Sequence, residues 1–229
     1  MRLSVIVPAW NEEATVEALL RRVLEHLGPD GEVVVVNDAS TDATSFITRR
    51  VASGDARVKL LEHEKNQGKG AAVRSGLAAA TGDVALIQDA DLEYDPADYP
   101  KLMAPLEAGE ADAVFGSRYL KGKTDQEGKY FMANRLMTRW FDLMFGTRLT
   151  DVLTCYKAFV LEKMDVGALG GAGFEIEIEL AANIVKRGMR LKEVAISYAP
   201  RTKEAGKKIR LRHAVAIAWA VWKYRWRKV

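Results

Sequence analysis

Two aspartates two positions apart, Asp89 and Asp91, lie in the run Gln88-Asp89-Ala90-Asp91-Leu92-Glu93-Tyr94-Asp95-Pro96, directly after the apolar stretch Val84–Ile87. In an extended chain, residues i and i+2 point to the same side, so the two carboxylates are presented together. Close carboxylates repel and raise each other's pKa, and a divalent cation relieves that repulsion. Oxygen donors without His or Cys favour Mg2+ or Mn2+, held by one or two carboxylates together with substrate phosphates. Acidic loops are common on protein surfaces; the position immediately after a buried strand is what favours chemistry here.

Other polar clusters also follow apolar runs. Pro8-Ala9-Trp10-Asn11-Glu12-Glu13 comes after the first. On residue type alone, Asn11 caps the next helix and the glutamates suit its positive end. Asn37-Asp38-Ala39-Ser40-Thr41-Asp42 comes after the second. There Asp38 can accept hydrogen bonds from a base or ribose, while Ser40 or Thr41 can equally cap a helix. Asn66-Gln67-Gly68-Lys69-Gly70 precedes a helix, so its glycines and amides can approach a phosphate, although the Gly-x-x-x-x-Gly-Lys-Ser/Thr signature is absent. Arg118 follows Ala113–Gly116, and Arg201 and Lys207 stand in a late basic loop. Gathered on one ligand edge, such cations clamp phosphates.

Strands and helices must bring these clusters together. Apolar runs at Leu3–Pro8, Glu32–Asn37, Val58–Glu62, Val84–Gln88 and Ala113–Gly116 alternate with helical periodicity over Glu12–Leu27, Asp42–Ala52 and Gly70–Ala80. That order predicts an α/β fold with a mostly parallel, Rossmann-like sheet flanked by helices. In such sheets ligands bind beyond the carboxyl ends of the strands, where the clusters are expected. Later in the chain the pattern predicts a polar loop over Tyr119–Gly128, helices over Tyr130–Phe145 and Phe174–Arg187, and a strand over Lys192–Tyr198. A single domain over residues 1–208 is expected, with a basic amphipathic helix at 209–229 belonging to it or packed on it.

The 229-residue chain has a net charge of +3, but residues 201–229 hold ten Lys or Arg against one Glu, which leaves −6 over residues 1–200. Three of the five tryptophans fall in the same segment. Basic residues mixed with Trp predict a helix lying on an anionic membrane face; a helix packed on the domain with solvated lysines accounts for the same residues. The uninterrupted apolar run Ala214–Trp222 has nine residues, against about 20 needed to span a bilayer. No base-reading motif accompanies the basic residues, so nucleic acid is not an expected partner. Cys155 is the only cysteine, which excludes an internal disulfide, and the three scattered histidines give no zinc set. No signal-peptide pattern precedes the first strand, so a cytoplasmic enzyme, at most peripheral on the membrane, is expected.

Taken together, Val5–Glu13, Val36–Asp42, Asn66–Gly70, Gln88–Pro96 and Gly116-Ser117-Arg118-Tyr119 resemble the family-2 glycosyltransferases of the GT-A fold, and among them the dolichyl- or polyprenyl-phosphate sugar synthases. Asp151-Val152-Leu153-Thr154-Cys155-Tyr156-Lys157 and the run from Arg201 to Lys208 are also similar to family elements. The resemblance implies that Pro8, Ala9, Asn11, Glu12 and Asp38 line the nucleoside pocket, with Asp38 facing the base. It implies that Asp89 and Asp91, flanked by Gln88 and Ala90, form the metal–diphosphate motif, with Glu93 as a candidate further ligand and Lys69 on the nucleotide-sugar side. Arg201 and Lys207 would close over the donor diphosphate, and Arg118 and Arg135 would hold an acceptor phosphate. Asp151 matches the acidic position near the acceptor, so Asp91 and Asp151 are the expected catalytic carboxylates. The chain departs from the family in having Asn37-Asp38 where Asp-Asp is frequent, and Thr154-Cys155-Tyr156 where Ser-Gly-Phe or Cys-Gly-Phe is frequent.

The implied reaction is a single inverting displacement of a nucleoside diphosphate from a UDP- or GDP-linked sugar. A phosphate monoester acceptor, with its second pKa of about 6, is already largely dianionic and needs no base. A saccharide hydroxyl needs one, and Asp151 is the candidate. Two other classes fit parts of the pattern. A sugar nucleotidyltransferase also sets an Asp-bound metal on an α/β sheet, and a basic-tailed module would bind membrane or nucleic acid without catalysis.

Overall fold

A strand buried along its whole length needs cover on both faces of its sheet. Val33–Val36 of β2 (Glu32–Asn37) have no exposed surface, and neither do Val5, Ile6 and Val7 of β1 (Leu3–Ala9). The computed structural model describes residues 1–120, 128–200 and 212–227; Arg201 and Lys207 lie outside them. The described chain continues with α1 (Val16–His26), α2 (Thr44–Gly54), β3 (Val58–Glu62), α3 (Lys69–Ala79), β4 (Val84–Ile87), α4 (Tyr99–Glu107), β5 (Ala113–Ser117), α5 (Gly128–Phe145), β6 (Lys157–Val160), α6 (Ile176–Lys186), β7 (Leu191–Ala195) and α7 (Arg212–Trp226). The strands form one sheet in the order β3-β2-β1-β4-β6-β5-β7.

Helix α1 shows how the pattern becomes packing. Its Val16, Leu19, Leu20 and Val23, at positions i, i+3, i+4 and i+7, are all fully buried, each worth about 1.5–3 kcal/mol of transfer free energy. The helix starts four residues later than periodicity suggests, because Glu12 to Thr15 form a turn in which Val16 N donates to Glu12 O. β7 ends at Ala195 rather than Tyr198, and Tyr198 instead forms an isolated bridge with Tyr94.

β6 was not foreseen. It runs antiparallel to both neighbours in an otherwise parallel sheet, with Leu86 opposite Ala158 and Phe115 opposite Lys157. Four residues led by a lysine carry no usable periodicity. The reversal matters, because it carries Thr154-Cys155-Tyr156, just ahead of β6, to the edge where β4 and β5 end.

At the end of the chain, α7 buries Ile217, Ala220, Val221 and Tyr224 and packs on α5 and α6. Trp219, Trp222 and Trp226 stay 58%, 53% and 65% exposed. Among the described residues, no helix is long and apolar enough to cross a membrane.

Candidate active site

Backbone strain marks the carboxyl edge of the sheet. Among the described residues, the non-glycine positions with positive φ are Asn11 (51°), Ala39 (55°) and Leu92 (59°). Each lies just beyond a strand end, after β1, β2 and β4. Left-handed backbone costs a residue with a Cβ roughly 1–2 kcal/mol, and such strain concentrates where function sets the geometry.

Asn11 does not cap α1 as its residue type suggested. Its Oδ1 accepts from Thr41 N at 2.8 Å and its own N donates to Ser40 Oγ at 3.0 Å. Glu12 N donates to Thr44 Oγ1 at 2.8 Å, and Glu13 and Asp42 exchange bonds with each other's loops. The loops after β1 and β2 are thus sewn into one unit, with Pro8 half-buried and Ala9 buried at its base. Asp38 is buried. Its Oδ1 accepts from Gln67 N at 2.9 Å and lies 2.7 Å from His63 Nδ1, while its Oδ2 accepts from Gly68 N at 2.7 Å. Asp38 therefore holds the Asn66–Gly70 loop in place.

The same loop corrects the expected phosphate cradle. The amides of Gln67 and Gly68 are spent on Asp38, and those of Gly70 and Ala71 donate to Ala172 O at 2.7 and 3.3 Å. Gly68 has φ +91°, and a Cβ there would stand 2.4 Å from Ala172 O. Its glycine serves close chain packing against the loop before α6. The cation of the loop does reach the acidic pair: Lys69 Nζ lies 2.6 Å from Asp89 Oδ1 and 2.9 Å from Glu177 Oε1. Behind it, Lys157 Nζ is 2.6 Å from Glu177 Oε2 and also donates to Thr154 O. Burial works against the charge of Lys69, but Asp89 and Glu177 outweigh it and keep the ammonium protonated. Burial likewise opposes ionisation of Glu177, and Lys157 and Lys69 overcome it.

Asp89 and Asp91 are both half-buried at the end of β4. They supply only oxygen donors, which fits a hard divalent cation. Glu93 turns elsewhere: its Oε2 accepts from Tyr198 OH at 3.0 Å and its carbonyl from Ala199 N at 2.9 Å. Among the described residues, no three Asp, Glu, His or Cys side chains form a metal-ligand group, so the expected trio of Asp89, Asp91 and Glu93 does not assemble. Gln88, expected on the nucleotide side, is fully buried, and its Oε1 accepts from Tyr99 OH and Tyr156 OH at 2.8 and 2.6 Å. Strand alternation turns Gln88 away from the face that shows Asp89, and Ala90 is buried as well.

Beside Tyr94, Arg118 binds Asp151 through two parallel contacts, Nε to Oδ2 at 2.7 Å and NH2 to Oδ1 at 2.8 Å. The guanidinium lies 5.9, 5.4 and 5.1 Å from the ring centres of Tyr94, Tyr119 and Tyr198. Asn134 Nδ2, from α5, donates to Asp151 Oδ1 at 2.9 Å. With side-chain exposures of 8% and 0%, Arg118 and Asp151 form an interior pair, and Asp151 is not a free base. Arg135, next to Asn134, is exposed and lies over Phe131 at 5.7 Å.

Sequence reasoning missed Glu177, Lys157, His63, Asn134 and Tyr198. The three alternating glutamates Glu175, Glu177 and Glu179 at the start of α6 were the available signal, since Glu177 and Glu179 lie on a buried helix. Nothing local marks Lys157, whose burial depends on β6.

A family model described as glycosyl transferase family 2 matches residues 4–166. Over 96% of this chain and 87% of its own length, the polyprenol monophosphomannose synthase of Mycolicibacterium smegmatis is 28% identical. The undecaprenyl-phosphate mannosyltransferase of Micrococcus luteus is 29% identical over 88% of this chain and 85% of its own. Among solved structures, glucosyl-3-phosphoglycerate synthase from Mycobacterium tuberculosis, in complex with phosphoglyceric acid, superposes with a TM-score of 0.71 at 25% identity, covering 97% of this chain and 79% of that one. The expected GT-A-type sheet, mostly parallel and flanked by helices, is the fold the chain has.

Proposed function

This chain belongs to glycosyl transferase family 2, and we propose that it moves a sugar from a UDP- or GDP-linked donor to a polyprenyl phosphate at a membrane surface. The names of its relatives support the lipid-phosphate acceptor. The single observation that carries the reading is the interior pair of Arg118 and Asp151. Attack by a sugar hydroxyl needs a base, and the one carboxylate expected to serve is engaged by Arg118 and Asn134. A phosphate dianion needs none.

In the proposed reaction, the unit formed by the loops after β1 and β2 seats the nucleoside, with Pro8, Ala9, Asn11 and Glu12 along it and Asp38 fixing the Asn66–Gly70 loop. Asp89 and Asp91 would hold Mg2+ or Mn2+, which when bound supplies positive charge against the departing diphosphate. Lys69 adds cationic stabilisation on the same side; Arg201 and Lys207, which the sequence assigns to the donor diphosphate, lie outside the described residues. Arg118, oriented by Asp151 and enclosed by three tyrosines, directs the acceptor phosphate, and Arg135 on the outer face of α5 meets its approach. The sugar's anomeric carbon then passes from one phosphate oxygen to another with inversion.

α7 presents Trp219, Trp222 and Trp226 on one face, with Lys223 and Arg225 flanking it on either side. Aromatic and basic residues together suit the interface of an anionic bilayer, so this helix would hold the enzyme peripherally on the membrane that carries its acceptor.

The test is product analysis. Purified protein is incubated with UDP- and GDP-sugars and Mg2+ or Mn2+, with and without polyprenyl phosphate. The expected outcome is nucleoside diphosphate release with a glycosylated lipid phosphate, dependent on the lipid. Release of pyrophosphate would mean a nucleotidyltransferase, and transfer to a saccharide with the lipid inert would overturn the acceptor assignment.

A further inference from the structure

Four charged side chains alternate in sign from the interior to the mouth of the site. Lys157 is fully buried, Glu177 pairs with it at 2.6 Å, Lys69 sits 2.9 Å from Glu177, and Asp89 lies 2.6 Å from Lys69. Exposure rises along the chain, from 0% at Lys157 through 7% and 15% to 24% at Asp89. The first two residues come from β6 and α6, the third from the start of α3, and the last from the end of β4. A buried carboxylate needs a partner to stay ionised. Lys157 provides one from behind, so Glu177 need not depend on Lys69 and can share it with Asp89.

The sharing sets up a competition. Lys69 occupies one oxygen of a carboxylate that, in the proposed function, must also bind a divalent cation. A cation arriving at Asp89 repels the ammonium and displaces it from that oxygen. Without another anchor, the lysine would hold Asp89 more tightly, or leave the site when displaced. Glu177 supplies that anchor. The ammonium has three donors; it stays paired with Glu177 by charge at 2.9 Å while a donor turns to the phosphate that arrives with the cation.

We propose that Glu177, neutralised from behind by Lys157, is a positioning residue that keeps Lys69 beside Asp89, so that the lysine passes from that carboxylate to the donor diphosphate when the cation binds. The inference rests on the reading of Asp89 and Asp91 as the metal site. It gives roles to two residues buried behind that site. It also predicts that metal and nucleotide binding are coupled through Lys69, since each binds better once the other has redirected the ammonium.

Binding measurements on the intact chain test this without turnover. Mn2+ affinity is read by electron paramagnetic resonance of the free ion, alone and with UDP or GDP, whichever the wild type binds more tightly. Lys69→Met removes the competitor, so Mn2+ alone should bind about fivefold more tightly, the fold-change of a partly exposed ion pair worth roughly 1 kcal/mol, and the mutual tightening of Mn2+ and nucleotide should fall by about the same factor, to what direct contact between the cation and the phosphates supplies. Glu177→Gln should weaken Mn2+ binding and reduce the same coupling. Because that change leaves Lys157 buried and unpaired, the double variant Lys157→Met/Glu177→Gln repeats the measurement with both buried charges removed, and the same loss of coupling is expected. Wild-type Mn2+ affinity and coupling in the Lys69 variant and the double variant, with only the melting temperature lowered, would reduce the chain of charges to scaffolding and overturn the proposal. Asp89→Asn separates the two readings. Mn2+ binding unchanged in that variant sinks the metal site and this inference together. Mn2+ binding lost there but unaffected by Lys69→Met sinks this inference alone.

Discussion

Arg118 and Asp151 meet through two contacts of 2.7 and 2.8 Å, and the carboxylate has no exposed surface. A paired interior carboxylate that also accepts from Asn134 is placed to orient an arginine, the role proposed for it above. Asp151→Asn should therefore act through Arg118. The acceptor KM should rise more than kcat falls, and stability should drop by about 3–5 kcal/mol, the usual cost of removing one partner of a buried ion pair. The pH–rate profile distinguishes the roles. A lost base would remove the acid limb, whereas a mispositioned arginine leaves the shape of the profile unchanged. Arg118→Lys keeps the charge but loses the two-pronged fit, and should resemble Asp151→Asn in its effect on KM.

Asp89→Asn and Asp91→Asn should each lower turnover by at least about 100-fold, on the scale of losing one main element that stabilises charge in a transition state. Calorimetry with Mn2+ should show the matching loss of metal binding, while circular dichroism stays as in the wild type because both side chains are only half-buried. Full Mn2+-dependent turnover in either variant would remove the acidic pair from the mechanism.

Gly70→Ala places a Cβ 2.4 Å from Gly171 O, with backbone on both sides of the contact. The start of α3 must then part from the loop before α6. Destabilisation of about 1–3 kcal/mol is expected, as for overpacking elsewhere, along with weaker nucleotide binding because Lys69 moves with that turn. Thermal melting and nucleotide titration of the same variant check both effects.

Glu32 provides a pH test far from the site. Burial opposes its ionisation, but Lys59, Ser4 and Thr81 outweigh that and bring its pKa down to about 2. A carboxylate depressed in the folded state contributes stability that is complete above its unfolded value, near 4.3, and is lost as the pH falls towards 2. Glu32→Gln should lower stability by about 1–3 kcal/mol at neutral pH, since its donors lose an acceptor. The difference from wild type should shrink below about pH 4 by the same linkage. Urea unfolding across that range measures it, and kcat should be unaffected because Glu32 lies at the amino end of β2.

Trp219, Trp222 and Trp226 changed together to Ser should abolish sedimentation with phosphatidylglycerol vesicles. Activity on a short-chain, water-soluble polyprenyl phosphate should remain. Lys223→Glu with Arg225→Glu should give the same result through charge, and high salt should reproduce it in the wild type. Vesicle binding that survives all three treatments would remove α7 from membrane attachment.

The early strands, the helices between them and the acidic pair after β4 were legible in the sequence because they rest on local pattern. Val33–Val36 can only be a strand buried on both faces, and Asp89 and Asp91 follow such a strand directly. The residues behind them were not legible. Lys157 became a partner of Glu177 only through an antiparallel strand that periodicity does not mark. Asp38 and Gly68 were drawn together by a loop closing over about 30 residues, and Gln88 was turned inward by strand register. Asp151 changed from candidate base to the support of Arg118 once α5 and the end of β5 converged on it. Local sequence fixes backbone preference and the order of polar and apolar side chains. Which charges face one another is decided by contacts between segments distant in sequence, whose energies depend on burial and distance that exist only in the folded chain.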